Sequence, residues 1–509
     1  MILNPIRGLW LVVLFSIAPL LPGGELKLHP VFSDNMVLQR EQPVNVFGLG
    51  QPEAVVTVEF AGQSATGTVG SDGKWSAVLK PLKASATPSV LKVQSGYDRI
   101  TCSNLLVGDV WFCGGQSNME RPFRTYSQLK GTTANLANPQ IRLYTTAHVT
   151  SITPLDAPPA PVRNGEAHCN RWQECDAKTL LDFSPIAYYF GAKVNASLKV
   201  PVGLLVSAWG STAIEPWMPQ EVLESLNLSH ELPKKPDPKA PQNQPGLCYH
   251  SMIHPFHQMT FKGFIWYQGE SNSKWPDKYK ILFPALIHNW RERFHAENRP
   301  FYYVQIAPYM PLPWDATGEA WAWLRDSQAA TRDLVPNTGM TVITDLGEYQ
   351  EIHPQRKKAV GERLARFALR DAGLPVQAES PRFQSMKIEQ GRCKLTFSNA
   401  EAGLETRRVV MNRQKDQPIQ KDPQAFVVPA DRLEGFTICG ADRHFVPAEA
   451  AIVGKRVEVW NDSIALPVAV RYAWANFPLC NLFSKDGLPA GPFRTDDFPM
   501  PQFQAAKKK

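Results

Sequence analysis

The sequence predicts an α/β fold, a parallel sheet with helices on both faces, flanked by N- and C-terminal β-sandwich-like domains. Three observations carry this. From Leu105 onward, short apolar runs alternate with helical patterns, the rhythm of a parallel sheet with right-handed crossovers. Before and after that region, short alternating segments are punctuated by turn signals, as in β modules. And 509 residues exceed what one core supports, so two or three domains are expected.

The first residues read as a signal peptide over 1–24. Arg7 precedes the apolar run Leu9 to Phe15, which ends at Pro22-Gly23-Gly24. No other stretch approaches the roughly 18 apolar residues of a spanning helix, so no membrane anchor is expected. The mature chain is expected to be soluble and lumenal or secreted. Sequons at Asn195, Asn227 and Asn461 fit glycosylation there, and the eight cysteines fit disulfides, with Cys169 and Cys175 a local candidate pair. Eight cysteines allow 105 complete pairings, and the spacing assigns none. The net charge of +7 is spread thinly, with no basic run beyond Lys507 to Lys509, which excludes a nucleic-acid partner on charge grounds.

Residues 25–106 form the N-terminal β domain, with alternation clearest at Val55 to Phe60 and Trp75 to Leu79. Residues 107–375 form the α/β domain. Its strands are expected at Val107 to Cys113, Val202 to Ala208, Phe264 to Tyr267, Tyr302 to Ile306 and Met340 to Thr344. Helices are expected at Ile186 to Leu198, Tyr279 to Phe294, Trp323 to Leu334 and Gln355 to Arg370. Two insertions, Thr146 to Thr179 and Ser229 to Gly246, read as surface loops. Residues 376–500 return to β-like segments, and 501–509 read as a disordered tail.

The chemistry gathers at the carboxyl ends of these strands, where open α/β sheets bind ligands. The first apolar run ends in Gly114-Gly115, a pair that allows a sharp turn, followed by Gln116-Ser117-Asn118-Met119. Ser117 is then a candidate nucleophile in need of a base. His353, after the last strand, is the best placed of 11 histidines. Gly210 and Gln268 follow two further strands. Their backbone and side-chain N–H groups, with the Ser117 N–H, could complete an oxyanion hole. Each residue also has a bland reading: Ser117 as a helix cap, His353 as the residue before a helix, Gly210 as a turn glycine, Gln268 as a buried amide serving the backbone.

Taken in order, Gly114-Gly115-Gln116-Ser117-Asn118-Met119, Trp266 to Asn272 and Ile352-His353-Pro354 resemble the motifs of the sialate O-acetylesterases, SGNH-like carbohydrate esterases. Ser207 to Thr212, Glu215 to Met218, Met252 to Pro255 and Arg471 to Trp474 extend the resemblance from about Leu28 to about Arg494. It implies an SGNH-hydrolase-like (flavodoxin-like) sheet and removal of O-acetyl groups, notably 9-O-acetyl, from sialic acids, in lysosomes or after secretion. It assigns Ser117 as nucleophile and His353 as base, and it implies no metal or organic cofactor. Many SGNH hydrolases carry an Asp three residues before the His, but Gln350 stands there. Glu351, Glu348, Asp345 or a backbone carbonyl could orient the imidazole; Glu351 shares a face with His353 in an extended segment. A sialic acid carboxylate would want an arginine, with Arg121, Arg124, Arg142 and Arg471 as candidates.

Other classes fit less well. An α/β-hydrolase elbow is G-x-S-x-G, and Met119 stands where its second glycine should be. His250, His254 and His257 could hint at zinc, but Pro255 breaks any helix joining them and no H-E-x-x-H is present. Cys113 lies inside an apolar run, an unpromising place for a nucleophilic thiol. A non-catalytic carbohydrate-binding glycoprotein could use Trp209, Trp217, Trp266, Trp275, Trp321 or Trp323 to stack on sugars, yet it would not need a serine and a histidine at matching strand ends. An acetylesterase for xylan or another carbohydrate would keep the mechanism and change the substrate.

Overall fold

The computed structural model describes residues 25–129, 131–163, 165–228, 239–310, 315, 318–414, 421–501 and 503. The expected signal peptide, 1–24, and most of the expected disordered tail, 501–509, lie outside them. One strand organises the molecule: β1, Asp98–Gly115, is 18 residues long. Its first half pairs antiparallel with Ser85–Ser95. Its second half is the centre of a mixed sheet, so it runs without interruption through the boundary expected at residues 106 and 107. The other strands are β2 (Asn138–Thr145), β3 (Gln173–Cys175), β4 (Val202–Ala208), β5 (Gly263–Tyr267), β6 (Phe301–Val304) and β7 (Thr338–Thr341), in the spatial order β3-β2-β4-β1-β5-β6-β7. All neighbours here are parallel except β3, which pairs antiparallel with β2.

The five strands expected from the apolar runs are present; β2 and β3 are additions. The sheet is therefore mixed rather than purely parallel, and the insertion 146–179, expected as a loop, contributes an edge strand and the helix α2, Ala177–Leu181. Side chains of β1 alternate between two layers. Trp111 and Cys113 pack with Ile186 and Phe190 of α3 (Pro185–Leu198) and Leu364 and Phe367 of α7 (Lys357–Asp371). Val110 and Phe112 pack on the other face with Leu223 of α4 (Gln220–Ser225), Leu282, Phe283 and Trp290 of α5 (Pro276–Arg293) and Leu324 of α6 (Ala320–Leu334). Helix starts follow the sequence: Ser184 caps α3 by accepting from the Ala187 N–H, with Pro185 as its first residue.

After α7, the strands Arg382–Glu389, Arg392–Ser398, Arg456–Trp460 and Glu449–Val453 make one antiparallel sheet. A second contains Phe436–Cys439 and Ala469–Tyr472. The buried Arg325 of α6 ties this region to the α/β layers by donating to the carbonyls of Ala475 and Asn476.

Two expectations are corrected. The eight cysteines are all free and buried, not disulfide-bonded. The thiols of Cys169 and Cys175 face His168 and the Leu136 carbonyl respectively, so each behaves as a small core residue. Asn195, expected as a glycan acceptor, is buried rather than exposed. It is 7% exposed on α3, with its amide donating to Gln140 and the Val200 carbonyl and its oxygen accepting from Asn138. Asn227 is exposed, and Asn461 is partly so.

Candidate active site

The sheet's carboxyl edge is built around Gly115, flanked in register by Ala208 and Tyr267. Its φ of +144° suits glycine, and a Cβ there would stand 2.2 Å from the Tyr267 carbonyl oxygen. The Gly115 carbonyl accepts from the Trp209 N–H at 3.1 Å, and the Gln116 N–H donates to the Tyr267 carbonyl at 3.0 Å. The Gln116 side-chain oxygen then accepts from the N–H groups of Gly269 and Ser271. So fixed, the chain enters the single turn α1, Ser117–Glu120, with Ser117 half-buried at its start.

There the Ser117 hydroxyl lies 2.9 Å from Nε2 of His353, although 236 residues separate them. His353 Nδ1 lies 2.9 Å from Glu351 Oε1, and the same oxygen accepts the His353 backbone N–H at 2.8 Å. Of the three acids considered, Glu351 is the one in contact. Asp345 is held by both terminal nitrogens of Arg363, and Glu348 accepts from the Gln355 N–H. Gln350 is exposed. Burial pushes the His353 imidazole below its ordinary value, partly offset by its hydrogen bond to Glu351. A hydroxyl on a neutral imidazole, itself oriented by a buried carboxylate, can be deprotonated as it attacks an acyl carbon.

The expected oxyanion donors are placed less simply. Gly210 does sit against Ser117, where a Cβ would come within 3.3 Å of Ser117 Cβ. Its N–H, however, donates to Glu120 Oε2 at 2.5 Å. Gln268 corrects the expectation further: its amide donates to Asn272 Oδ1 at 2.7 Å and to the Thr212 carbonyl at 3.3 Å. It is the buried strut of the bland reading, joining two loops. His250, His254 and His257 likewise face the carbonyls of Ser151, Leu155 and His254.

Sequence reasoning missed a buried support behind the pair. Asn118 donates to Glu270 at 2.6 Å and to the Ile352 carbonyl at 3.0 Å, and accepts from Lys357 at 2.5 Å. It thereby links α1 to the residue just before His353. Burial pushes the Lys357 ammonium down to about 7. On the other side, Glu120 lies 3.3 Å from His148 Nε2, whose Nδ1 lies 2.6 Å from Glu166. Asn118 and Glu120 were within reach of the motif; His148 and Lys357 gave no periodic signal.

Beside these loops opens a cavity of about 510 Å³ lined by Ser211, Glu215, Asn243, Ser271 and Trp275. Trp275 is 45% exposed, whereas Trp209, Trp217, Trp266, Trp321 and Trp323 are buried. The arginine candidates also separate. Arg142 is buried against Glu174, Arg471 is paired with Asp496, and Arg124 is paired with Asp182. Arg121 instead places Nη1 2.7 Å from His353 Nδ1.

Among the described residues, no helix is long and apolar enough to cross a membrane. Residues 107–370 match the family of carbohydrate esterases described as sialic acid-specific acetylesterases. Sialate O-acetylesterases of Homo sapiens and Pongo abelii are each 29% identical to this chain, covering 93% of it and 94% of their own length. A carbohydrate acetylesterase from Xanthomonas citri has a solved structure that superposes with a TM-score of 0.79 at 33% identity, over 93% of this chain and all of that one. The chain is a carboxylic ester hydrolase. Within that class it belongs to the sialic acid-specific acetylesterase family of carbohydrate esterases.

Proposed function

We propose that this protein removes O-acetyl groups, notably 9-O-acetyl, from sialic acids through an acetyl-enzyme. The observation that carries this reading is the 2.9 Å contact between the Ser117 hydroxyl and His353 Nε2 at the strand edge. Ser117 Oγ attacks the acetyl carbonyl carbon while His353 takes its proton. The oxyanion rests first on the Ser117 N–H at the open end of α1, and on the Gly210 N–H once Glu120 yields it. His353 then protonates the departing sugar oxygen, and water, deprotonated by the same imidazole, releases acetate. The sugar occupies the cavity beside Trp275, whose exposed indole offers a stacking face.

Setting aside the edge strand β3 and its neighbour β2, the remaining order is β4-β1-β5-β6-β7, or 2-1-3-4-5 in chain order. That is the doubly wound order with a switch point beside β1, and it supports the SGNH-like reading. The proposed domain division is 25–106, 107–375 and 376–500, with β1 shared across the first boundary, and the proposed compartment is lysosomal or extracellular.

A second reading, an acetylesterase for another carbohydrate, is favoured by the Xanthomonas citri structure. Acetate release from 9-O-acetyl sialoside, 4-O-acetyl sialoside and acetylxylan separates the two. Preference for xylan would replace the substrate and keep the mechanism. Full activity in folded Ser117→Ala would remove the mechanism.

A further inference from the structure

His353 Nδ1 has two neighbours that make opposite demands. Glu351 Oε1, at 2.9 Å, can only accept, so it favours a proton on Nδ1. Arg121 Nη1, at 2.7 Å, can only donate, so it favours a lone pair there. The choice decides what faces Ser117. With the proton on Nδ1, the Nε2 lone pair can receive the hydroxyl proton. With the lone pair on Nδ1, Nε2 carries the hydrogen and the imidazole is idle as a base. A neutral imidazole cannot satisfy both neighbours.

Arg121 is also unusually available. It is half-buried and has no carboxylate within ion-pair distance among the described residues, whereas Arg124, Arg142 and Arg471 each have one. Its other close neighbour is the Tyr126 ring, 5.8 Å from the guanidinium carbon. A planar fork of donors without an anion, on the far side of the imidazole that faces the reacting hydroxyl, suits a carboxylate better than a neutral group.

Resting on the serine-esterase reading above, we propose that Arg121 reads the carboxylate of an acidic sugar ester and, in doing so, releases His353 into its working tautomer. A bound carboxylate engages the guanidinium N–H groups. Nδ1–H is then left to Glu351, and Nε2 turns its lone pair to Ser117. Neutral esters leave Arg121 on the imidazole and meet the idle form more often. Arg121 is thus a specificity-determining residue whose effect reaches kcat as well as KM.

The test compares the full-length protein with Arg121→Gln and Arg121→Lys on three substrates: 9-O-acetyl sialic acid, its carboxyl methyl ester, and p-nitrophenyl acetate. The wild type should prefer the free acid over the methyl ester by about tenfold or more in kcat/KM. Arg121→Gln should bring that ratio to within about threefold. It should lose on the acid while p-nitrophenyl acetate turnover rises, because the competing donor is gone. Arg121→Lys, which keeps the charge without the fork, should fall between. A merely structural role would depress all three substrates together, and that pattern overturns the proposal. So does a wild type that cleaves p-nitrophenyl acetate but treats acid and methyl ester alike, an outcome that leaves the serine-esterase reading intact. A folded wild type inactive on all three removes that reading and the proposal with it.

Discussion

Glu351 and His353 are joined twice through one oxygen: Glu351 Oε1 accepts the backbone N–H of His353 and also lies 2.9 Å from its Nδ1. Backbone and ring are held by the same carboxylate, so it can fix the imidazole's orientation and stabilise the imidazolium that forms during attack. Glu351→Gln keeps an acceptor and removes the charge. We expect kcat to fall by about a hundredfold or more. The pH profile gives a sharper readout. Glu351 raises the His353 pKa, while burial and the charges of Lys357 and Arg121 lower it. In wild type the acid limb of kcat/KM should lie below 6.5, and in Glu351→Gln it should move lower still. A nearly intact rate, or an unmoved limb, removes Glu351 from the mechanism.

Gly115 should tolerate no side chain. At Gly115→Ala the new Cβ would overlap the Tyr267 carbonyl in a central strand, and neither backbone can retreat without breaking the sheet. We expect a loss of about 3 kcal/mol or more in stability. Any folded fraction should show reduced turnover, because Ser117 follows two residues later. Gly62 is also at positive φ but has nothing within 4 Å of its would-be Cβ, so Gly62→Ala should cost about 1 kcal/mol, for strain alone. Thermal unfolding of both variants checks this, and equal losses would remove packing as the cause.

What the sequence disclosed follows from which interactions leave a periodic or local trace. The second half of β1, and β4 and β5, are buried throughout because both faces are covered, and their mostly apolar runs stand out. Strand β2 was hidden because it buries Arg142, satisfied by Glu174 on β3, so its composition looks like a loop. Ser117, His353 and Glu351 were legible because topology brings the ends of β1 and the segment after β7 to one edge. Gln268 was misjudged because a polar residue at a strand end looks the same whether it serves substrate or backbone. Only the contacts with Thr212 and Asn272 tell them apart. His148 became relevant through Glu120, a contact across elements that no spacing rule encodes.

Glu348 makes stability depend on pH. Burial pushes its carboxyl up to about 7, from an ordinary 4.5. Between those values the folded chain holds a proton that the unfolded chain has released, so stability is greatest below about 4.5 and is lost as pH rises towards 7. The loss should be about 2–3 kcal/mol. Glu348→Gln keeps an acceptor for the Gln355 N–H and removes the titration. Urea unfolding at pH 5 and pH 7 should therefore show a clear decline in wild type and a markedly smaller one in the variant. Parallel declines would place the pH dependence elsewhere.

Asn195 should stay bare even where its sequon could be modified. An oligosaccharide on Nδ2 would displace the bonds to Gln140 and the Val200 carbonyl and force a bulky polar chain into the contact between α3 and β2. Transfer to the unfolded chain would therefore block folding rather than decorate the product. Glycopeptide mapping of protein secreted from a glycosylating cell should find residue 195 unmodified in the folded fraction, with any glycan at Asn227 or Asn461. Because the same amide is a structural tie, Asn195→Ala should lower stability by about 1–3 kcal/mol. A glycan on Asn195 of active protein, or an alanine variant as stable as wild type, would contradict this packing.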